Sequence, residues 1–176
     1  MPALKNQDDI LALIAARRSR RPARALPFLD DLFRRLAACA QAEEAGVTED
    51  LIWDVWMDHP HRAAARELDL AARDIAARRY DIAETRLARL LRRAPQFAEA
   101  WHKHAVLCYL LDRDEECLAA IRRTLELEPR HFAAMLHFGE ILLGAGASSD
   151  ARYAFRAALT LHPHLPRAHA ALADKA

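Results

Sequence analysis

The chain is expected to be all-α: a solenoid of packed helical hairpins preceded by a helical N-terminal extension. Three observations predict this. Alanine is the commonest residue and the basic residues are 23 Arg against 3 Lys, with only four glycines; Ala and Arg are strong helix formers, and the β-branched residues that favour strands are scarce. Next, "RRAPQFAEAW", "ELEPRHFAAM" and "TLHPHLPRAH" align on Pro95, Pro129 and Pro163, two consecutive spacings of 34 residues. Other positions recur in step. Ala71, Ala105 and Gly139 fall 24 before each proline, Ala83, Cys117 and Ala151 fall 12 before, and Leu87, Ile121 and Phe155 fall 8 before. A fixed period of this length marks a supersecondary unit that buries its apolar face only by stacking on its neighbours.

These residues resemble the tetratricopeptide repeat (TPR), a 34-residue helix–turn–helix unit with small residues where its helices cross and a closing proline. Three units cover residues 64–97, 98–131 and 132–165. Pro60 lies 35 before Pro95, which extends the pattern to a degenerate hairpin over 28–63. Its helices are predicted at 28–41, with Leu29, Leu32, Phe33 and Leu36 on one face, and at 48–58, with Leu51, Ile52, Val55 and Trp56. Thr48 is placed as an N-cap. Residues 1–27 are assigned to an N-terminal arm or helix. "PRAHAALADKA" (166–176) is assigned to a short C-terminal helix that caps the last repeat, whose apolar end face needs cover. The lead-in "LDDLFRRLAACAQAEEAGVTEDLIWDVW" resembles that of a group of small bacterial TPR proteins with an L-D-x-L-F…I-W-x-x-W pattern.

A net charge of +1 gives no bulk reason to expect nucleic acid or an anionic membrane as partner. The three cysteines form no CxxC pair and suit a reducing compartment. "ILALIAA" (10–16) is too short for a dependable signal-peptide core and precedes its arginines, and no stretch has the length of a membrane span. A cytoplasmic location is the expectation.

"FAEAWHKHAVLC" (97–108) concentrates His102, His104 and Cys108. Two residues apart on a helix means opposite faces, so His102 and His104 do not form one metal site. His104 and Cys108 share a face, and Cys117 is expected opposite them across a turn near Asp112 and Arg113. His104, Cys108 and Cys117 thus form a candidate zinc, copper(I) or redox cluster, set against the plainer reading that all three are packing positions. No cofactor is expected. His59/His61 and His162/His164 flank inter-repeat prolines and are expected to be solvated turn residues. "GAGASSD" (144–150) lacks the Lys-Ser/Thr ending of a phosphate loop and is expected to be a turn, with Ser148 or Ser149 capping the next helix. No motif of an enzyme is present, so catalysis is not expected.

"ARRSRRPAR" (16–24) holds five arginines within eight residues, and docking of this arm on an anionic surface is an alternative function. The principal expectation comes from the TPR resemblance, which implies a concave groove lined by the first helix of each unit. The lining positions carry Leu68, Ala72, Ile75 and Ala76, then Glu99, His102, Val106, Tyr109 and Leu110, then Leu136, Glu140 and Leu143. They lack the Lys, Asn and Arg with which some TPR domains clamp a C-terminal carboxylate. An apolar groove dotted with His102, Tyr109 and Glu140 suits an amphipathic helix or an extended apolar peptide instead. "DDILALIAARR" (8–18) is a candidate to occupy that groove, in cis or from a second copy, which leaves a monomer or a homodimer open. The expected function is therefore a non-catalytic adaptor or scaffold that binds a protein or peptide.

Overall fold

The computed structural model describes residue 4 and residues 6–173, which form ten helices and no strand among the described residues. They are α1 (Gln7–Ala15), α2 (Pro27–Ala38), α3 (Ala42–Met57), α4 (Arg62–Ala76), α5 (Tyr80–Arg93), α6 (Ala98–Leu110), α7 (Asp114–Leu127), α8 (Phe132–Gly144), α9 (Ser148–Leu159) and α10 (Pro166–Ala173). The fold is an all-α, TPR-type solenoid of helical hairpins, with α4–α5, α6–α7 and α8–α9 as its antiparallel pairs.

The 34-residue period reappears in the backbone. The left-handed residues Arg78, Asp112 and Gly146 (φ 57°, 54° and 79°) end α4, α6 and α8 at equivalent places. Each is followed by an amide that reaches back to the helix: Arg79 N to Asp74 O (2.8 Å), Arg113 N to Cys108 O (2.9 Å) and Ala147 N to Leu142 O (2.9 Å). This is a Schellman closure, which turns the chain within three residues and satisfies carbonyls the helix end would otherwise orphan. The helix crossings repeat as well. Ala71, Ala105 and Gly139 are the small residues at the crossing, and a Cβ on Gly139 would lie 2.5 Å from the Phe155 ring. Leu87 and Ile121 stand where Phe155 does, so the largest partner faces the one residue without a side chain.

Trp101 Nε1 donates to Pro95 O (3.0 Å), and His169 Nε2 lies 2.6 Å from Pro163 O. The prolines thus help to bind one hairpin to the next. Two cores result. Leu68, Ala71, Ala83, Leu87 and Leu90 pack α4–α5 against Phe97, Ala100 and Leu107. The larger core joins α6–α10 with α1, α2 and α3.

The N-terminal segment does not simply precede the array. Ile10 and Ile14 are fully buried where α1 crosses the second helices α7 and α9. Gln7 Nε2 donates to Asp150 Oδ2 (2.7 Å) and Arg17 to Thr160 Oγ1 (3.0 Å). The strap that follows runs past the end of α7, where Arg20 donates to Glu126 O and Ala23 N to Leu127 O. The α2–α3 hairpin then packs along the inter-hairpin turns of the later units. Phe33 and Trp56 meet Phe132 at ring separations of 6.5 and 5.2 Å, and Arg130 pairs with Asp30 (2.5 Å) above the Phe33 ring.

Several local expectations are corrected. Thr48 is not an N-cap: α3 starts at Ala42, and Thr48 is buried inside it with its hydroxyl donating to Glu44 O. The residue preceding α9 is Ala147, with Ser148 already the first helical residue. His162 is 2 % exposed rather than solvated, held by Glu49 at 2.9 Å, and His164 Nε2 lies 2.9 Å from Cys39 O. Both histidines tie the last turn to α2–α3.

Candidate functional site

The groove residues separate into two halves. Leu68, Glu99, His102 and Leu136 are buried, Ala72, Ile75, Val106, Glu140 and Leu143 are half-buried, and Tyr109 and Leu110 are exposed at 40 % and 44 %. The division follows from α3. Its Trp53 lies over His102 (ring centroids 5.8 Å apart) and Trp56 stacks on His131 at 4.1 Å with an 8° interplanar angle. The chain's own I-W-x-x-W segment therefore fills the groove at the N-terminal ends of α6 and α8. His102 was expected to face a ligand. At 2 % exposure it does not. Leu136, at 6 %, belongs to the core, so substituting it tests folding rather than recognition.

Under the tryptophans lies a hydrogen-bonded cluster whose tautomers are fixed by its geometry. Ala134 N donates to His131 Nδ1 (3.2 Å), where His131 caps α8, so His131 carries its proton on Nε2 and donates it to Glu99 Oε2 (2.9 Å). His102 Nδ1 faces Glu99 Oε1 (3.1 Å), an acceptor, which leaves His102 Nε2 to accept from His137 Nδ1 at 3.3 Å. Lys103 Nζ completes the set, 2.9 Å from Glu99 Oε1. Burial works against ionisation of Glu99, but His102, the Lys103 ammonium and the hydrogen bonds from His102 and His131 outweigh it and hold the carboxyl well below the ordinary range. Burial first, and then the neighbouring cations, lower His102 to about 4 and His137 to about 3 despite the pull of Glu99 on His102. Both rings are neutral at pH ~7.

Glu99, His102 and His131 bring ligand atoms within 4.8 Å of one another, a spacing that fits a metal. The hydrogen bonds argue otherwise. To coordinate through Nε2, His131 would need its proton on Nδ1, facing the Ala134 N–H donor. The cluster is satisfied as it stands and acts as a polar keystone between α3, α6 and α8. Sequence reasoning missed His131 and His137, although His102 and His137 lie 35 residues apart, close to one repeat.

Beyond the cluster the rings continue outward. His137 stacks on His102 (5.2 Å, 16°) and Tyr109 on His137 (6.3 Å, 14°), so a ladder runs from Trp53 to the exposed Tyr109. Beside it, Glu140 bonds Arg167 (2.5 Å) through Oε1, while its Oε2 is buried with no hydrogen-bond partner among the described residues. Burial raises the Glu140 carboxyl, and Arg167 offsets that only in part.

A TPR repeat-containing protein of Rhizobium etli is 25 % identical to this chain over 135 residues, which cover 77 % of the chain. The chain resembles TPR proteins in both sequence and fold. No family model matches it. The aligned segment spans 66 % of the relative's length, just under two thirds.

The other candidates are placed as follows. "DDILALIAARR" does not enter the groove, because α1 packs on the second helices α7 and α9. Of the five arginines after it, Arg17, Arg20 and Arg24 make intramolecular hydrogen bonds, the last to Asp58, so the arm is docked rather than extended. Cys117 does not point at His104; its thiol donates to Ala105 O (3.2 Å). Burial raises Cys117 to about 12 and Cys108 to about 11, far from the pKa of a reactive thiol. No helix among the described residues is long and apolar enough to cross a membrane.

Proposed function

We propose that the protein is a non-catalytic adaptor that binds an apolar protein or peptide segment along the open half of its concave face. Residues 64–165 serve as three TPR units, 28–63 as a hairpin that closes the other half of the groove, 1–27 as a strap and 166–176 as a C-terminal cap, of which residues 1–3, 5 and 174–176 lie outside the described residues. The observation that carries this is the exposure of two consecutive large apolar residues at the end of α6, Leu110 and Tyr109, the latter at the outer end of the aromatic ladder. Val106 extends the surface along α6, Ile75 and Leu143 extend it to the neighbouring first helices α4 and α8, and Glu140 supplies a buried acceptor for a ligand donor. Apolar contact would provide the binding energy and the carboxylate the register. The capped half of the groove supports the same reading, since Trp53 and Trp56 already show the kind of side chain this face accepts.

A photo-crosslinking residue at Leu110 tests this in the native cell. It should give a discrete adduct that disappears in a Tyr109→Asp background, whereas the same probe at Ile82, 42 % exposed on α5, should not. Equal adducts at both positions, or one at Leu110 that is indifferent to Tyr109→Asp, would refute the assignment.

A further inference from the structure

His104 and Cys108 do find a third ligand-type partner, but it is Glu116 rather than Cys117. The two residues lie one turn apart on the flank of α6 that faces α7, with Cys108 Sγ 3.8 Å from His104 Nε2 and 4.0 Å from Nδ1. Glu116, in the first turn of α7, places a carboxylate oxygen within 4.8 Å of both.

Three features separate this cluster from the one around Glu99. Its ligand atoms are uncommitted: apart from the long His104–Cys108 contact, no hydrogen bond or ion pair among the described residues engages His104, Cys108 Sγ or the Glu116 carboxylate. Its spacing is close to what a metal needs. Zn–S of about 2.3 Å and Zn–N of about 2.0 Å in a tetrahedron set S and N about 3.5 Å apart, close to the 3.8 Å here; because Sγ is almost equally far from both ring nitrogens, binding also requires the His104 ring to turn until one nitrogen lone pair faces the metal. Its charge favours a cation too. Two carboxylates, Glu84 and Glu116, act on His104 and Cys108 against the single guanidinium of Arg113, which pairs with Glu84 at 2.5 Å, while the nearby Arg122 and Arg123 pair with Asp9 and Glu126; the balance is negative. Glu116 is exposed and opens onto a groove beside Trp101 and Ala120, with room for water in a fourth position.

We propose that His104, Cys108 and Glu116 form a thiolate–imidazole–carboxylate site for a divalent cation of the zinc class, with water completing the tetrahedron. Binding forms metal–S, metal–N and metal–O bonds, displaces water from the aqua ion and releases the Cys108 thiol proton to solvent. No electron is transferred. The site uses the buried, α7-facing side of α6 rather than the exposed Tyr109 and Leu110, and does not depend on the peptide-binding reading.

The test uses the full chain without an affinity tag, reduced and stripped of metal. Zn²⁺ is titrated in competition with a chromophoric chelator, and Co²⁺ is followed by absorbance. One equivalent should bind, and Co²⁺ should show a thiolate-to-metal charge-transfer band with tetrahedral d–d intensity. Cys108→Ala should abolish the band, and Cys108→Ala and Glu116→Gln should each weaken zinc binding by about tenfold or more. Cys117→Ala should change neither. All three variants should fold: alanine occupies the Cys117 position in the other two units, Cys108→Ala only removes one sulfur atom from a buried helical position, and Glu116 is exposed. Helicity by circular dichroism confirms this before titration. The proposal is overturned if the wild type shows no saturable binding, if binding survives both Cys108→Ala and Glu116→Gln unchanged, or if Cys117→Ala removes it.

Discussion

Acidification from about pH 7 to about pH 5 should weaken this protein through its buried histidines. His102 and His137 have folded pKa values of about 4 and about 3, against an ordinary 6.5. A depressed histidine pKa means that the unfolded chain takes up a proton the native state refuses. The stability is therefore intact above about pH 6.5 and lost as pH falls toward the folded pKa. Between about pH 7 and about pH 5 each such histidine costs about 2 kcal/mol. Both rings stay neutral in the fold at about pH 5, so the two costs add to about 4 kcal/mol. Urea unfolding, followed by tryptophan fluorescence and far-UV circular dichroism at both pH values, measures the loss. His137→Gln removes one titrating ring and should lower the loss by about 2 kcal/mol, with the contributions of the other histidines cancelling in the comparison. An identical pH dependence in wild type and variant would refute the assignment of neutral, proton-refusing rings to this cluster.

Other substitutions probe the packing. Gly139→Ala should destabilise by about 1 to 3 kcal/mol, because the new methyl meets the Phe155 ring at the α8–α9 crossing; a Gly139→Ala, Phe155→Leu double variant should recover most of the loss in the same urea assay. Arg78→Gly should stabilise by about 0.5 to 1 kcal/mol by relieving a left-handed, non-glycine residue in the α4–α5 turn, read as a higher urea midpoint. Ile14→Ala should cost about 2 to 5 kcal/mol, since Ile14 is fully buried under α1; a cost below about 0.5 kcal/mol, typical of a surface site, would mean that α1 is not docked in solution.

The solenoid was legible because its determinants are local and periodic. The prolines, the small crossing residues and the large apolar partners act within one unit, so a 34-residue register exposes them. The same register placed Tyr109 and Leu110 on an open surface. It misplaced His102, because what covers His102 is Trp53 on α3, and no repeat phase reports a contact made by a segment outside the repeat. For Cys117 the plainer packing reading fits, since it is fully buried, but its alternative role as partner of His104 and Cys108 does not. The period brings it across from α6 but does not reveal that its thiol turns to Ala105 O while the neighbouring Glu116 faces His104 and Cys108. His162 looked like a turn residue on local grounds and proved to be a buried anchor to Glu49, 113 residues earlier in the chain.

The strap also bears on how the molecule comes into being. Gln7 pairs with Asp150 across 143 residues, and α1 rests wholly on helices encoded in the second half of the chain. In an ordinary solenoid each unit can settle on the one before it as synthesis proceeds. Here α1 to α3 precede α7 to α9 in the chain, so Ile10 and Ile14 stay uncovered, and Trp56 lacks His131 and Phe132, until those later segments are made. Those loops are closed against a large entropy cost, which slows folding relative to a nearest-neighbour array of the same length. The early helices are then the part of the nascent chain most in need of protection from aggregation.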